Sequence, residues 1–559
     1  MSLPMRRIAA VAVSAFVLGL LAWAGWQRQP ARIADGDIEA VEIARLEGLG
    51  DHRMPVRVDS PGARAWFDQG LVLAYAFNHE AAARSFLKAA ELDPRCAMCW
   101  WGAALVLGPH LNAAMDPANA PLAFERVRRA ATLARAGRER DFIDALSQRY
   151  AAVPTRADRH ALDQSYAQAM RDLVARHPRD VDARVLLAEA LMDLHPWDFH
   201  DRAGAPRPWT AEIVALLEGV LRETPDHPGA NHLYIHAVEA SRTPERALEA
   251  ARRLHDLVPG AGHLVHMSSH IYLRTGRYHE ASEANLRAIA ADTRTLALCG
   301  NPAGLYRDGY VPHNHHFLYA SSMMEGASKQ SLKAAQEVAR RMDLTKSRQP
   351  GYEALQHYWI TPYLARVRFG QWNELVDLPP PPADLPYPTA IWHYARGMAL
   401  LRTGRLDQAA IALQGLATIA AHPDMARARV WDLNTLGAIL HVAERQFAGE
   451  LAAERGDHAQ AVEALRTAVG LQDQLDYDEP EPWYMPVRQA LGAVLLKAGR
   501  PEEAQTVFEE DLRRHPENGW SLFGLVQALD SQRRPAQEAR ARLKAAWRHA
   551  DVQLDASRY

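Results

Sequence analysis

Apolar residues recur at helical spacing along most of the chain. Beyond residue 60 the sequence is rich in Ala, Leu, Glu and Arg, and blocks of about ten to fifteen residues place apolar side chains on one face of a helix. Strand-like alternation and Asn-Gly hairpin turns are scarce. The pattern predicts an all-α fold built from many short helices.

The N-terminus carries a different pattern. Ile8–Trp26 is apolar and uncharged, and it follows the basic pair Arg6 and Arg7. A helix of that length just crosses a hydrocarbon core about 30 Å thick, with the arginines on the cytoplasmic side. Ala22 and Ala24 also fit a signal-cleavage site. Residues 8–26 are therefore predicted to be a transmembrane signal anchor or a cleaved signal peptide, with a buried helix of a cytoplasmic protein as the alternative.

A period near 34 residues organises the helical part. One repeat shows small residues and a proline at characteristic places, and a late repeat shows the same marks. Through these residues the chain resembles the tetratricopeptide repeat (TPR) family, as an exported member of bacterial type. The resemblance implies a right-handed α-solenoid of helical hairpins with a concave groove. The residues that carry it are Trp66, Gly70, Ala82, Phe86, Ala89 and Pro94 in the first repeat, and Leu491, Gly492, Gly499, Ala504, Phe508 and Pro516 in the late one.

Proline-rich and irregular stretches suggest how the chain is divided. A run of prolines near residue 380 interrupts the helical pattern and is the predicted boundary between two arrays. The predicted organisation is a cytoplasmic segment 1–7, an anchor or signal 8–26, a linker 27–60, a TPR-like array 61–378, a linker 379–388 and a C-terminal TPR array 389–559.

Composition excludes several functions. Lys and Arg number 64 and Asp and Glu 67, so the net charge of −3 gives no general attraction to nucleic acid. Three cysteines exclude a disulfide-dense scaffold. The sequence shows no Gly-rich phosphate loop and no serine nucleophile elbow, so no nucleotide cofactor is expected. It also shows no basic-aromatic strip suited to nucleic acid, so no nucleic-acid partner is expected. The remaining unusual feature is a total of 25 histidines.

The histidines concentrate in the middle of the chain. Thirteen of the 25 lie between His195 and His316. His232 and His236 recur 34 residues later as His266 and His270, so the same two places of the repeat are histidine twice. Each such set shares one face of a helix. In the TPR family these places line the concave groove, so the resemblance implies a groove lined by His232, His236, Glu239, His263, His266, His270, His313, His316 and His357.

This stripe predicts a metal site. Helices packed about 8–10 Å apart bring imidazoles together on one ion. Nitrogen ligands favour copper or iron first and zinc next. Three-plus-three histidine sets suit paired copper ions, whereas two histidines with Glu239 as a ligand or catalytic proton acceptor suit iron or hydrolytic zinc. A groove for an organic or peptide ligand and a structural histidine network are the alternatives. The predicted metal ligands are His232, His236, His263, His266, His270, His313 and His316.

Other residues complete the predicted site. Glu189, His195, Arg274, His357 and Tyr394 are expected to contact a substrate in the groove. Cys96 and Cys99 form a Cys-x-x-Cys motif, and a local disulfide, metal thiolates or two buried small residues are the competing interpretations. The tryptophan that follows stands where haem attachment needs histidine, so no haem is expected.

The sequence thus predicts an extracytoplasmic protein, anchored in the inner membrane through residues 8–26 or secreted after cleavage. The favoured function is that of a metal-dependent oxidoreductase using copper or iron, ahead of a zinc hydrolase, on a small molecule or peptide held in the groove. A periplasmic interaction scaffold without catalysis is the first alternative, with a protein partner bound through the C-terminal array. A metal-binding or delivery protein is the second.

Overall fold

The computed structural model describes residues 43–152, 158–300 and 304–559. These residues are mostly helical, as the hydrophobic pattern predicts. The predicted anchor 8–26, the segment 1–7 and the linker as far as residue 42 lie outside the described residues. Within the described ranges, no helix combines the length and the apolar character needed to cross a membrane.

The chain divides into two compact units, Pro30–Ser321 and Ser322–Tyr559. The predicted linker 379–388 lies inside the second unit, where it joins two helices. In both units each helix packs mainly against its neighbours along the chain. Contacts of that kind are typical of a stacked repeat array.

Helices of the first unit are short and closely spaced. Short 3₁₀ helices at Pro117–Asn119 and Pro244–Ala247 and a π-helix at Tyr306–Tyr310 supplement them. The α-helices are α1 (Pro61–Tyr75), α2 (His79–Leu92), α3 (Ala97–Leu105), α4 (Ala120–Leu133), α5 (Arg138–Ser147), α6 (Asp158–Arg176), α7 (Val181–Asp193), α8 (Thr210–Glu223), α9 (Pro228–Val238), α10 (Leu248–Leu257), α11 (Gly262–Arg274), α12 (Tyr278–Leu298) and α13 (Val311–Met324), in whose last turn the boundary falls.

The second unit adds one small antiparallel ribbon, in which β1 (Arg429–Val430) pairs with β2 (Asn434–Thr435). A 3₁₀ helix lies at Lys346–Arg348. The α-helices are α14 (Ser328–Arg341), α15 (Ala354–Trp359), α16 (Thr361–Arg368), α17 (Trp372–Val376), α18 (Pro386–Arg402), α19 (Leu406–Ala420), α20 (Pro423–Arg427), α21 (Leu436–Glu454), α22 (His458–Gln472), α23 (Val487–Lys497), α24 (Pro501–Arg514), α25 (Gly519–Ser531) and α26 (Gln537–Ala546).

Close packing in the first hairpin depends on small residues. The ring of Phe86 on α2 is fully buried and lies between Gly70 on α1 and Gly102 on α3. A Cβ atom at Gly70 would lie 2.9 Å from the ring, and one at Gly102 would lie 2.5 Å from it. No side chain fits at such distances, so glycine lets three consecutive helices approach one another.

Candidate metal centre

Two neighbouring helices of the first unit carry most of the central histidines. His232 and His236 lie one turn apart on α9, and His266 and His270 lie one turn apart on α11. Residues four apart share a helix face. Since α9 packs against α11, the four imidazoles meet in the interior. Their residues are at most 2% exposed.

Six imidazoles form two adjoining groups. In the first histidine set, His232, His236 and His263, one ring nitrogen of each lies within 4.8 Å of the others. In the second histidine set, His266, His270 and His313, the ring nitrogens meet the same limit. Ring centroids of His236 and His270 are 5.5 Å apart, so the two sets adjoin.

Hydrogen bonds at Nδ1 fix the orientation of the first set. Nδ1 of His232 lies 2.7 Å from the carbonyl oxygen of Tyr75, and Nδ1 of His236 lies 2.7 Å from Oε1 of Glu239. A carbonyl or a carboxylate only accepts, so each Nδ1 carries the proton and donates it. The Nε2 atom of each ring then offers its lone pair. Histidine ligands of metal ions are oriented in the same way.

Hydrogen bonds at Nδ1 also fix the tautomers of two imidazoles in the second set. Nδ1 of His266 lies 2.7 Å from Oδ1 of Asn285, whose amide nitrogen is fixed by donating to the carbonyl of Ala281 at 2.7 Å. Nδ1 of His270 lies 2.7 Å from Oε2 of Glu239. Both rings therefore donate from Nδ1, and their Nε2 atoms face each other at 2.8 Å. Two lone pairs at that distance repel unless a proton or a metal cation lies between them.

Burial of the imidazoles disfavours a proton between these two Nε2 atoms. The pKa of His266 is held well below its ordinary value, first by burial and then by the charge that His270 would carry. The pKa values of His232, His263 and His313 are lowered in the same way, by burial and then by neighbouring imidazoles. Four imidazoles that donate from Nδ1 and leave Nε2 as a potential ligand, with two more beside them, are a donor set that fits a transition metal.

Glu239 supplies the negative charge of the centre. It is fully buried, and burial alone would raise its pKa, but the N–H groups of His270 and His236 hold the pKa well below the ordinary value. Both carboxylate oxygens thus accept hydrogen bonds from imidazoles of two different helices. Its position here is that of a group that orients ligands.

Aromatic rings surround the imidazoles. The ring of Phe77 lies 4.5 Å from that of His232, and the ring of Tyr310 lies 4.5 Å from that of His263. Phe317 contacts the whole second set, with ring distances between 4.4 and 4.9 Å. The histidine spacing does not identify these residues, although Phe317 follows His313 by one helical turn and shares its face.

Comparisons agree with the helical repeats. Residues 63–96, which span α1 and α2, match the sequence model of the tetratricopeptide repeat. The chain therefore contains a tetratricopeptide repeat at these two helices. No curated protein matches it. TPR proteins commonly bind protein partners, and the scaffold alone does not indicate an enzyme.

The solved structures that match this chain are only distantly similar to it. The human IFIT1 dimer with m7Gppp-AAAA is 11% identical, with 89% of this chain and 92% of that chain covered and a TM-score of 0.30. Cut9 in the APC/C hetero-tetramer Cut9–Hcn1 is 14% identical, with 87% and 90% covered and a TM-score of 0.27. Yeast Tom70 is 10% identical, with 85% and 89% covered and a TM-score of 0.25. Such scores support no functional transfer.

The other predicted groove residues of the first unit lie in separate surroundings. Arg274 donates from Nε to the backbone carbonyl of Glu239 at 3.0 Å, and His195 stacks on Trp209 at 3.8 Å. Burial, followed by the charge of Asp193, raises the pKa of Glu189 to about 8. His316 is buried with its ring 6.2 Å from that of Tyr319, and it belongs to neither histidine set.

His357 and Tyr394 lie in the second unit. His357 is buried, with Nδ1 2.7 Å from the hydroxyl of Tyr387 and Nε2 2.8 Å from the hydroxyl of Tyr484. Burial lowers its pKa to about 3. Tyr394 is fully buried, with its ring 5.1 Å from that of Trp483. Within that unit, His357 is thus hydrogen-bonded through both nitrogens.

The cysteine motif begins α3. Cys96 and Cys99 are joined by a disulfide, and Cys96 is the N-cap residue. Cys299 has a buried free thiol, and burial raises its pKa. The disulfide therefore constrains the first turn of a helix.

A further cluster escapes the repeat alignment. His52 and His227 both approach Oδ1 of Asp182, at 3.0 and 3.4 Å. However, Nδ1 of His227 accepts the backbone N–H of Ala230 at 3.2 Å, so in the neutral ring Nε2 carries the proton. Nε2 of His227 then points its N–H towards the carboxylate, and the cluster is arranged as a hydrogen-bonded network around Asp182. Sequence reasoning missed it because His52 precedes the helices.

Proposed function

We propose that the first unit of this protein binds a pair of transition-metal ions, one in each histidine set. The observation that carries the proposal is the facing pair of Nε2 atoms of His266 and His270, whose tautomers are fixed by Asn285 and Glu239. A ligand set of imidazoles favours copper or iron, with zinc next. Calcium and magnesium prefer oxygen ligands and are not expected here.

Oxidoreductase chemistry is the finer part of the proposal. When bound, a pair of copper ions would supply one-electron steps and a site for dioxygen. The chain's own residues orient the imidazoles, and the buried carboxylate of Glu239 offsets part of the metal charge. The buried surroundings exclude bulk water from the imidazoles. We propose a small molecule or a peptide as the substrate.

An interaction scaffold is the second candidate, and the comparisons support it more directly than catalysis. It is favoured by the TPR match at residues 63–96, since TPR surfaces commonly bind proteins. The two candidates are compatible, because a metal centre inside the first unit leaves the second unit for a protein partner. We also propose that the protein is exported, on the basis of the apolar segment 8–26 and the disulfide between Cys96 and Cys99.

Elemental analysis of the purified full chain tests the metal proposal. We expect about two ions per chain after loading with copper, because two histidine sets offer three nitrogens each. The double variant His266→Ala/His270→Ala should lose one ion, and His232→Ala/His236→Ala should lose the other. His52→Ala is the matched control and should keep both, since His52 belongs to neither histidine set. Fewer than about 0.2 ions per chain, with copper, iron and zinc alike, would overturn the proposal and leave the scaffold.

A further inference from the structure

Two large aromatic residues of the first unit adopt the left-handed backbone conformation. Phe77 has φ 53° and Trp197 has φ 62°. Side chains other than glycine rarely occupy this region, and bulky ones are marked outliers. Both aromatic rings contact the first histidine set. Strained backbone of this kind concentrates at functional sites.

Other helical hairpins of the chain show which residue usually occupies the position of Phe77. Phe77 is the second residue after the end of α1 and stands two residues before α2. In six other hairpins the same place is glycine with φ between 66° and 82°. Each of these turns also closes with the same backbone hydrogen bond, from the residue after the left-handed one to the carbonyl five residues earlier. The backbone geometry of this turn therefore favours glycine, and the first hairpin has Phe77 at that position instead. The six glycines are Gly276, Gly326, Gly370, Gly404, Gly456 and Gly499.

The ring of Phe77 fills the space beside the first set. It is 1% exposed, and its centroid lies 4.5 Å from that of His232 and 5.8 Å from that of His263. On its other side it stacks on His110 at 4.5 Å with an angle of 20° between the planes. An aromatic ring thus lies directly against two predicted ligands. It is carried by a residue whose left-handed backbone conformation favours glycine.

Trp197 forms an outer layer. It lies in the loop between α7 and α8, is partly exposed, and sets its ring edge-on to His236 at 5.2 Å. The second set is covered differently, because Phe317 lies within the regular helix α13. Of the two histidine sets, only the first is therefore contacted by left-handed aromatic residues.

We propose that Phe77 and Trp197 form an aromatic gate over the first histidine set, which admits ligands of the size of dioxygen or azide and excludes larger ones. The gate rests on the proposed function for the identity of the bound metal. The access that it controls is a property of the metal-free chain as well. It would make the first set the selective half of the pair.

Chemical modification of the metal-free full chain tests the gate directly. The unprotonated nitrogen of neutral imidazole attacks a carbonyl carbon of diethyl pyrocarbonate and becomes ethoxycarbonylated, with ethyl carbonate as the leaving group. This reagent is larger than the proposed ligands. In Phe77→Gly/Trp197→Gly the backbone keeps its conformation, because glycine accepts positive φ, while both rings are removed. We expect His232, His236 and His263 to react at least about tenfold faster than in the unchanged protein. Mass spectrometry of the peptides that contain them measures these rates.

Trp431→Gly is the matched control, since Trp431 has φ 49° and lies in the second unit. It should leave all six rates unchanged, and the second set should change by less than about twofold in every variant. Unchanged reactivity of the first set in a double variant with its helical circular dichroism intact overturns the gate. If the double variant does not fold, Trp197→Gly alone decides, because its ring is partly exposed and His236 should still react faster.

The metal-loaded protein separates the two proposals. With copper bound, the unchanged chain should bind azide and reject imidazole, and Phe77→Gly should bind both, as judged by the optical spectrum. A chain that binds no metal overturns the proposed function, and the modification rates still decide the gate. A loaded, unchanged chain that binds imidazole as readily as the variant overturns the gate and leaves the metal centre.

Discussion

A single carboxylate holds the two histidine sets in register. Oε1 of Glu239 accepts a hydrogen bond from His236 on α9, and Oε2 accepts one from His270 on α11, both at 2.7 Å. These bonds keep the proton of each ring on Nδ1 and leave each Nε2 as a potential ligand. Glu239 thus determines the tautomers of one imidazole in each set.

Glu239→Gln should impair metal binding without unfolding the chain. An amide offers one acceptor and one donor group, so one of the two imidazoles loses its acceptor and no longer keeps its tautomer. We expect copper affinity to fall about 10- to 100-fold, measured by competition with a chelator. Glu249→Gln, on the exposed side of α10, should have no effect. An affinity equal to that of the unchanged protein would show that Glu239 does not orient the ligands.

Sequence reasoning brought these histidines together with Glu239 but not with their other hydrogen-bond partners. The 34-residue spacing was enough to align His232 and His236 with His266 and His270, because a repeat puts equivalent places side by side. Asn285 and the carbonyl of Tyr75 come from other helices, and no spacing links them to the stripe. Phe77 could not be predicted either, since the hairpin geometry calls for glycine at its position.

At the scale of the helix, glycine and phenylalanine recur as a packing unit. Phe508 on α24 is fully buried between Gly492 on α23 and Gly524 on α25, where added Cβ atoms would lie 2.3 and 2.2 Å from its ring. Phe86 is packed in the same way in the first unit. The sequence marks of the repeat therefore predicted real contacts, because each mark reflects a close approach of helices.

Gly492→Ala should destabilise the second unit. The added methyl group meets the Phe508 ring in a packed core, and overpacking of this kind costs about 1–3 kcal/mol. Gly470→Ala is the control, since nothing lies within 4 Å of that position on α22. Alanine should instead stabilise this helix by up to about 1 kcal/mol. Urea denaturation of both variants measures the difference, and equal effects would contradict the packing argument.

At the scale of the whole molecule, the chain forms two compact units that the sequence only partly suggests. The proline-rich segment 379–388 stood out by composition, but Leu385 and Tyr387 are 1% and 0% exposed. Prolines interrupt helical hydrogen bonding without preventing burial, so such a run does not by itself mark a division between compact units. The domain limits expected from sequence stay predictions. Along the chain, the first compact unit ends at Ser321 and the second begins at Ser322.

Metal binding should stabilise one unit selectively. A ligand that binds only the folded state adds RT ln(1 + [L]/Kd), which is about 2.7 kcal/mol at 100 times Kd and slows by about 100-fold any opening that releases the ion. Hydrogen exchange with and without copper should therefore slow in α9, α11 and the first turns of α13, which carry the six imidazoles. Exchange in α21 to α24 should not change. Equal slowing in both units would place the ion elsewhere, because protection follows the helices whose opening breaks the metal bonds.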